Sequence, residues 1–480
     1  VPDELTLVID IGKSHAKLLM LDAAGEVVER YGRDNRSVPS ALGYPALDVQ
    51  GLEAWMADTL RASAHASRCR RVVTSTHGAA LVALADDGRL AWDPVDYEYD
   101  ALGPHPALAQ AFADSADAFG ATLSPDLPAG LNAARQLFFI QHLHPQAWQR
   151  TRCLVPYPQY WAWRLCGVQA SEVSSLGCHT HLWQPQSGQF SVQAQAAGWA
   201  ALFAPLRSAW EVLGPVLPDM AARFGLPPDC VVHTGVHDSN ACLARYLGAT
   251  PAEAADEQAL TVVSSGTWTV LMAPGASTHG LQAERDMLAN VDVLGRATPT
   301  ARFMGGREFE ALLAGAPPDA ADWGDVHTVL THGVLALPSF AAHGGPFRGQ
   351  TGCVRVGAQE FVDSAAAGLS AGQRAALASV YCAQTTAWLV QRLWSDSQLP
   401  RTVVVEGPLA RNAVFLGCLQ ALMPQAKCRV SHDAVEGTAR GAWMLSRWGQ
   451  GTAADVLPIE PAPVQGLQAY HAAWLAALPA

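Results

Sequence analysis

Leu5-Thr6-Leu7-Val8-Ile9-Asp10-Ile11-Gly12-Lys13-Ser14-His15-Ala16-Lys17-Leu18-Leu19-Met20-Leu21 decides how the rest of the chain is read. An apolar run from Leu5 ends at an acid and a glycine, and a second run from Lys17 to Leu21 ends at Asp22-Ala23-Ala24-Gly25. Two such runs around a short polar turn predict a β-hairpin turning at Gly12-Lys13-Ser14-His15. Val27 to Arg30 adds a third strand, and Leu52, Trp55, Met56, Thr59 and Leu60 keep helical spacing through Leu52 to Ala66. The plan then recurs. Leu260 to Ser264, the turn Ser265-Gly266-Thr267-Trp268 and Val270-Leu271-Met272 again read as strand, Gly-containing turn and strand. This predicts an internal duplication whose second half begins near Gln258, with Gly248 to Glu257 as the connection.

Between and after the hairpins the alternation is that of an α/β chain. Arg71 to Ser75 reads as a strand stopping at Thr76-His77-Gly78, and Ala80 to Ala85 as another. Leu131 to Leu143, Tyr157 to Leu165 and Val216 to Phe224 are predicted helices. Val231-Val232-His233-Thr234-Gly235 leads into His237-Asp238, Thr402 to Val405 ends at Glu406-Gly407-Pro408, and Asn412 to Leu422 follows as a helix. Glu436-Gly437-Thr438 starts a last helix, and the Ala-, Pro- and Gln-rich stretch from Gly449 to Ala480 is expected to wrap the surface. Polar residues and glycine at strand ends are where α/β proteins place ligands.

Composition narrows the function classes. At 480 residues, with 50% hydrophobic and 15% charged, the chain reads as globular with two or three domains. Lys plus Arg is 31 against 43 Asp plus Glu, a net charge of −12 without a basic run, so no nucleic-acid partner is expected. No apolar stretch approaches ~20 residues, so no membrane span is expected, and Val1-Pro2-Asp3-Glu4 is unlike a signal peptide. A cytoplasmic location follows as the expectation. The ten cysteines contain no Cys-x-x-Cys, which points to reduced core residues and not to zinc or a disulfide framework.

Two glycine turns from two duplicated halves, carrying Lys and hydroxyl groups, suit a polyphosphate gripped from opposite sides by backbone N–H groups. Each turn alone reads better as an ordinary tight turn, and neither matches the Gly-x-x-x-x-Gly-Lys-Ser/Thr loop; it is their joint appearance at equivalent places that favours the phosphate reading. In order along the chain come Asp10-x-Gly12 with Lys17, Gly235-Val236-His237-Asp238 with Ala241, and Ser265-Gly266-Thr267-Trp268. Leu337-Pro338-Ser339-Phe340 with Gly345-Pro346, Glu406-Gly407-Pro408-x-x-Arg411-Asn412 and Gly437-Thr438-Ala439-x-Gly441-Ala442 follow. With these motifs the chain resembles the FGGY carbohydrate kinases over roughly Leu5 to Gly449.

The resemblance implies an actin-like ATPase (ribonuclease H-like) fold, with two duplicated α/β domains around a cleft. Residues 1–247 would be the sugar-binding and catalytic domain, 258–449 the nucleotide-binding domain and 450–480 a tail. It implies an ATP-dependent kinase moving the γ-phosphate to a ketose hydroxyl, with Mg²⁺, and allows a homodimer. By resemblance Asp238 is the general base, Thr76, His77, Gly78 and His237 contact the sugar, and Asp10 orients the metal. Gly12, Lys13, Ser14 and Lys17 would line the phosphates on one side, Gly266 and Thr267 on the other, with Gly407 and Asn412 at the adenosine. Plainer readings stand beside these: Asp238 as a helix cap, His237 as a core histidine, Asp10 capping a turn, Lys13 as a solvated turn residue and Asn412 as a cap.

Departures from the family pattern bear on the substrate. Thr76 replaces a Met, Pro408 replaces a glycine, and Gln159 stands where relatives often show Asp. In Pro94-Val95-Asp96-Tyr97-Glu98-Tyr99-Asp100 the arginine of an Asp-x-Arg arrangement is missing, and Glu98 reads as a sugar contact or an exposed loop carboxylate. Trp268 resembles the rhamnulose and fuculose kinase branch, which favours a deoxyketohexulose over a xylulose- or ribulose-type pentulose. A catalytically silent sugar or nucleotide sensor on the same fold is the competing class.

Overall fold

The computed structural model describes residues 4–247, 259–341, 344–395, 400–431, 437–450 and 454–479. They gather into two compact units, the first made of 4–247 with 289–297 and 437–450, the second of the remaining described residues. The expected connection Gly248 to Glu257 lies outside the described residues, as do Gln258 and Glu436.

Each unit is built on a seven-stranded sheet. In the first, six strands run in the order Val212–Pro215, Val231–His233, Cys69–Thr76, Leu5–Ile11, His15–Leu21 and Val27–Asp34, with Val236–His237 also paired to Cys69–Thr76. Leu5–Ile11 is antiparallel to His15–Leu21 and parallel to Cys69–Thr76. Only Asp10 of Leu5–Ile11 is not fully buried. A central strand covered on both faces is a continuous apolar run, which is why Leu5 to Ile11 does not alternate. Val27–Asp34, at the edge, alternates exposed and half-buried positions.

The second sheet repeats that plan. Six of its strands run in the order Ala297–Phe303, Thr269–Met272, Leu260–Ser265, Thr402–Glu406, Lys427–Ser431 and Val456–Pro458. Leu260–Ser265 is antiparallel to Thr269–Met272 and parallel to Thr402–Glu406, the same relations as in the first hairpin. Two meanders, each extended by parallel strands, give the actin-like α/β architecture with its duplication.

Several boundaries differ from the sequence reading. The first long helix is Val49–Ala62 and not Leu52 to Ala66, because Asp48 caps it by accepting from Gly51 N–H at 2.8 Å and the chain turns extended at Ser63. Ala80 to Ala85 contributes Leu81–Leu84 to a separate three-stranded sheet. The boundary drawn at 449 does not coincide with the units, since 437–450 pack with the first and 454–479 with the second. The tail does more than wrap a surface. Leu467–Ala477 is a helix that buries Leu467, Tyr470, His471 and Trp474, spaced i, i+3, i+4 and i+7 on one face. Trp474 Nε1 donates to the Ala336 carbonyl at 2.8 Å and Tyr470 Oη to that of Val334.

Candidate active site

Strand register assembles the first part of the site. In the first unit Asp10 lies opposite Lys17 across the hairpin and beside Ser75 on the parallel neighbour, and Ser75 in turn pairs with Val236. One residue on, Ile11, Thr76 and His237 form the next row. The carboxyl ends of three strands far apart in sequence therefore present Asp10, Thr76-His77-Gly78 and His237-Asp238 side by side. Crevices at such ends are the usual ligand position in open α/β sheets.

Asp238 begins the helix Asp238–Ala244, and the cap position belongs to His237, whose side chain caps nothing. This corrects the reading of Asp238 as the cap. Its Oδ1 accepts from Ser239 N–H at 2.6 Å and lies 3.2 Å from His237 Nε2, while Oδ2 takes no hydrogen bond among the described residues. His237 is buried, which holds its pKa below the ordinary value. The Asn240 amide donates to Nδ1 at 3.2 Å, placing the imidazole proton on Nε2, toward Asp238. Cys178 Sγ is also 3.2 Å from Nε2. A side chain at Gly78 would sit 2.8 Å from both Cys178 Sγ and His237 Nε2, so only glycine fits there. Gly235 has φ +87°, and a Cβ would lie 2.2 Å from Thr74 Oγ1. Gln159 fixes this turn by donating to the carbonyls of Thr234 and Gly235 at 3.2 and 3.1 Å.

His77 donates through Nδ1 to the Gly78 carbonyl at 2.9 Å, and its buried Nε2 has no partner among the described residues. Burial lowers its pKa, with the Asp238 carboxylate pulling the other way. A neutral imidazole with an open acceptor suits a ligand hydroxyl. The rings of Tyr97 and Tyr157 stand 5.3 and 5.4 Å from it.

At the hairpin turn, Gly12 N–H donates to the His15 carbonyl at 2.9 Å, so it is not one of the groups left for a phosphate. The N–H groups of Lys13 and Ser14 donate to nothing among the described residues. Asn35 holds the turn from outside, its amide donating to the Gly12 carbonyl at 2.9 Å. The Lys13 ammonium pairs with Asp96 and lies 3.4 Å from Glu98, so Lys13 is neither a solvated turn residue nor directed only at a phosphate. Glu172, fully buried, caps Val173–Leu176 ahead of Cys178 with bonds from Ser174 and Ser175, and burial pushes its carboxyl up to about 7.

The second unit holds a cavity of about 440 Å³ lined by Gly266, Gly306, Phe309, Leu409, Arg411 and Asn412, among others. Ser265 Oγ donates to the Glu406 carbonyl at 2.6 Å and accepts from Leu409 N–H at 2.9 Å, tying the second hairpin to the Gly407 turn. Gly407 has φ +82°, and a Cβ there would lie 2.0 Å from the Ser265 carbonyl. Asn412 caps Ala413–Leu422 by accepting from Phe415 N–H at 2.9 Å, and its amide donates to Ser379 Oγ at 2.9 Å. Thr267 is exposed, and the Trp268 ring lies under Arg302, 5.0 Å away, and against Gly344.

Sequence reasoning missed one support, Gly306, and named another, Gly441, only as part of a motif without its contact. Gly306 lets the start of Gly305–Leu313 approach the second hairpin, where a Cβ would stand 2.4 Å from the Gly266 carbonyl. The Gly305-Gly306 pair ahead of Phe309, Leu312 and Leu313 was the available signal. Gly441 lets Gly437–Leu445 touch the Asp238 helix, with a Cβ only 1.8 Å from the Ala241 carbonyl. Among the described residues no cluster of three or more His, Cys, Asp or Glu could hold a metal by itself, and no helix is long and apolar enough to cross a membrane.

Comparison with known proteins bears on this arrangement. The family model for the C-terminal domain of FGGY carbohydrate kinases matches residues 257–454. L-fuculokinase from Escherichia coli (strain K12) is 26% identical over 285 residues, 57% of each chain, so this chain spans little more than half the length of the curated relatives it matches. Among solved structures, a carbohydrate kinase from Novosphingobium aromaticivorans is 35% identical with a TM-score of 0.86, covering 99% of this chain and 98% of that one. A xylulose kinase from Lactobacillus acidophilus shares the fold at 13% identity, with a TM-score of 0.74 and coverage of 98% and 96%.

Proposed function

Since the chain belongs to the FGGY carbohydrate kinases, we propose that it transfers the γ-phosphate of ATP to a hydroxyl of a ketose, with Asp238 as general base. The observation that carries this reading is the convergence of Asp10, His77, His237 and Asp238 on neighbouring strand ends. Phosphoryl transfer demands positioning and charge stabilisation, with one carboxylate to take the hydroxyl proton. Asp238 Oδ2 is that acceptor, while Nε2–H of neutral His237 holds Oδ1. The open Nε2 of His77 takes a hydrogen bond from a sugar hydroxyl. In the second unit, the apolar walls near Phe309 and Leu409, with Arg411 and Asn412, suit adenosine in size and chemistry. Gly266, which lines the cavity, and Thr267, next to it in the turn, serve the phosphates. The strand ends carry two carboxylates, Asp10 and Asp238, and no cluster of three ligands among the described residues. That donor set fits a Mg²⁺ whose shell nucleotide oxygens and water would complete, with Asp10 as the residue that would hold it. Bound there, the ion would neutralise charge on the phosphate oxygens.

A 6-deoxyketohexulose of the fuculose or rhamnulose type is the favoured acceptor, on the fuculokinase similarity and Trp268; a pentulose is the alternative. A silent sensor has no use for a base with an open oxygen. A coupled ADP-release screen over ketoses, aldoses and polyols, with and without Mg²⁺, tests the proposal. Mg²⁺-dependent release with one or a few ketoses is expected; none with any sugar would refute it.

A further inference from the structure

We propose that Lys13 reads the acceptor sugar and not the ATP phosphates, with Asp96 as its positioning residue, and that Lys13 and Glu98 together select a neutral vicinal diol over a sugar acid. This rests on the kinase reading above and deepens it. The loop Pro94 to Asp100 has three acidic residues and no cation of its own; Lys13 brings one from the hairpin turn.

The pairing is held firmly. The Asp96 side chain is only 4% exposed, and three donors converge on it: the Lys13 ammonium and Ser37 Oγ on Oδ2, and Glu98 N–H on Oδ1 at 2.9 Å. Moving Lys13 to a phosphate would leave that buried carboxylate without its counter-charge, which is costly. The ammonium also stands 5.3 Å over the Tyr97 ring, and Tyr97 meets His77 edge-on at 5.3 Å. Ammonium, phenol ring and imidazole thus form one continuous wall beside the strand ends.

Chemistry then assigns the ligand. Lys13 carries three N–H donors, and next to it, 3.4 Å away, is the Glu98 carboxylate, whose side chain is 67% exposed. A donor and an acceptor side by side match two adjacent hydroxyls, each able to give and take a hydrogen bond. The cluster holds one cation and two carboxylates, and Tyr97 also feels the charge of Asp238, so the wall is net negative. A substrate carboxylate or a polyphosphate would meet repulsion there.

Calorimetric titration of the full chain with L-fuculose or D-xylulose, with L-fuconate, and with the non-hydrolysable ATP analogue AMP-PNP separates the possibilities. Lys13→Met should weaken ketose binding by about tenfold or more, the scale of a lost charged hydrogen bond, and leave AMP-PNP affinity within about twofold. Glu98→Gln, at an exposed position, should weaken the ketose and narrow its advantage over fuconate. Asp96→Asn should reproduce the Lys13→Met split between sugar and nucleotide. Loss of AMP-PNP binding in Lys13→Met with ketose binding intact would overturn the proposal, as would a wild type that binds neither ketose or prefers fuconate. An Asp96→Asn protein that loses only thermal stability would overturn the positioning role. Ketose binding without ADP release on any sugar would instead strike the kinase reading and leave the Lys13 assignment standing.

Discussion

The hairpins Leu5–Leu21 and Leu260–Met272 have the same strand relations and a glycine in each turn, yet they carry opposite chemistry. The first places Asp10, Lys13 and Lys17 around its turn, and its glycine N–H is spent on the His15 carbonyl. The second has Ser265, Gly266 and Thr267, no charge, and a neighbouring helix that comes close only because Gly306 has no side chain. Duplication kept the backbone, and the side chains then divided the labour. On the proposed reading, the charged turn serves the metal and the sugar, and the uncharged one a nucleotide held by backbone and hydroxyl groups.

Matched substitutions in the two turns break that comparison most sharply. Asp10→Asn should lower kcat by ~10²- to 10³-fold, the scale of removing a group that stabilises transition-state charge, and should raise the Mg²⁺ concentration needed for half activity. Thr267→Ala, its counterpart, should change KM for ATP by only ~3- to 10-fold, as befits one neutral hydrogen bond. Steady-state kinetics over a Mg²⁺ series checks both. Equal effects in both turns would erase the division.

A smaller effect separates two glycines that look alike in sequence. Gly441→Val pushes on the helix that starts at Asp238, so it should lower kcat and cost about 1–3 kcal/mol of stability by overpacking. Gly407→Val pushes on the Ser265 carbonyl, so it should raise the nucleotide Kd by about tenfold while leaving sugar affinity unchanged. Calorimetric titration with nucleotide and with sugar distinguishes them.

The smallest effect concerns pH. Burial raises Glu172 from 4.5 to about 7. A carboxyl whose folded value lies above its unfolded one contributes stability that is fully present below about 4.5 and is lost as pH rises through about 7. Glu172→Gln should flatten the fall in Tm over that window without moving the second unit's nucleotide affinity, and an unchanged slope would contradict it.

Much of the fold was legible because central strands are unbroken apolar runs and glycine-polar turns follow them, as at Asp10-Ile11-Gly12 and Ser264-Ser265-Gly266. The row of Asp10, Ser75 and Val236 was half legible: the segments could be read, but register is a long-range property. The Lys13–Asp96 pair was not legible because its partners lie 83 residues apart. Gly306 and Gly441 look like any helical glycine until the carbonyl each one faces is known. The last helix escaped because Tyr470, His471 and Trp474 are amphipathic and sit among alanines, so their shared buried face did not register as an apolar stripe.

Asp238→Asn tests the proposed chemistry most directly. Asparagine keeps the size and one acceptor oxygen for Ser239 N–H, so the helix start survives, but it cannot take a proton. With Asp238 as general base, kcat should fall ~10²- to 10⁴-fold while sugar affinity and Tm change far less. Turnover close to that of the wild type would contradict it.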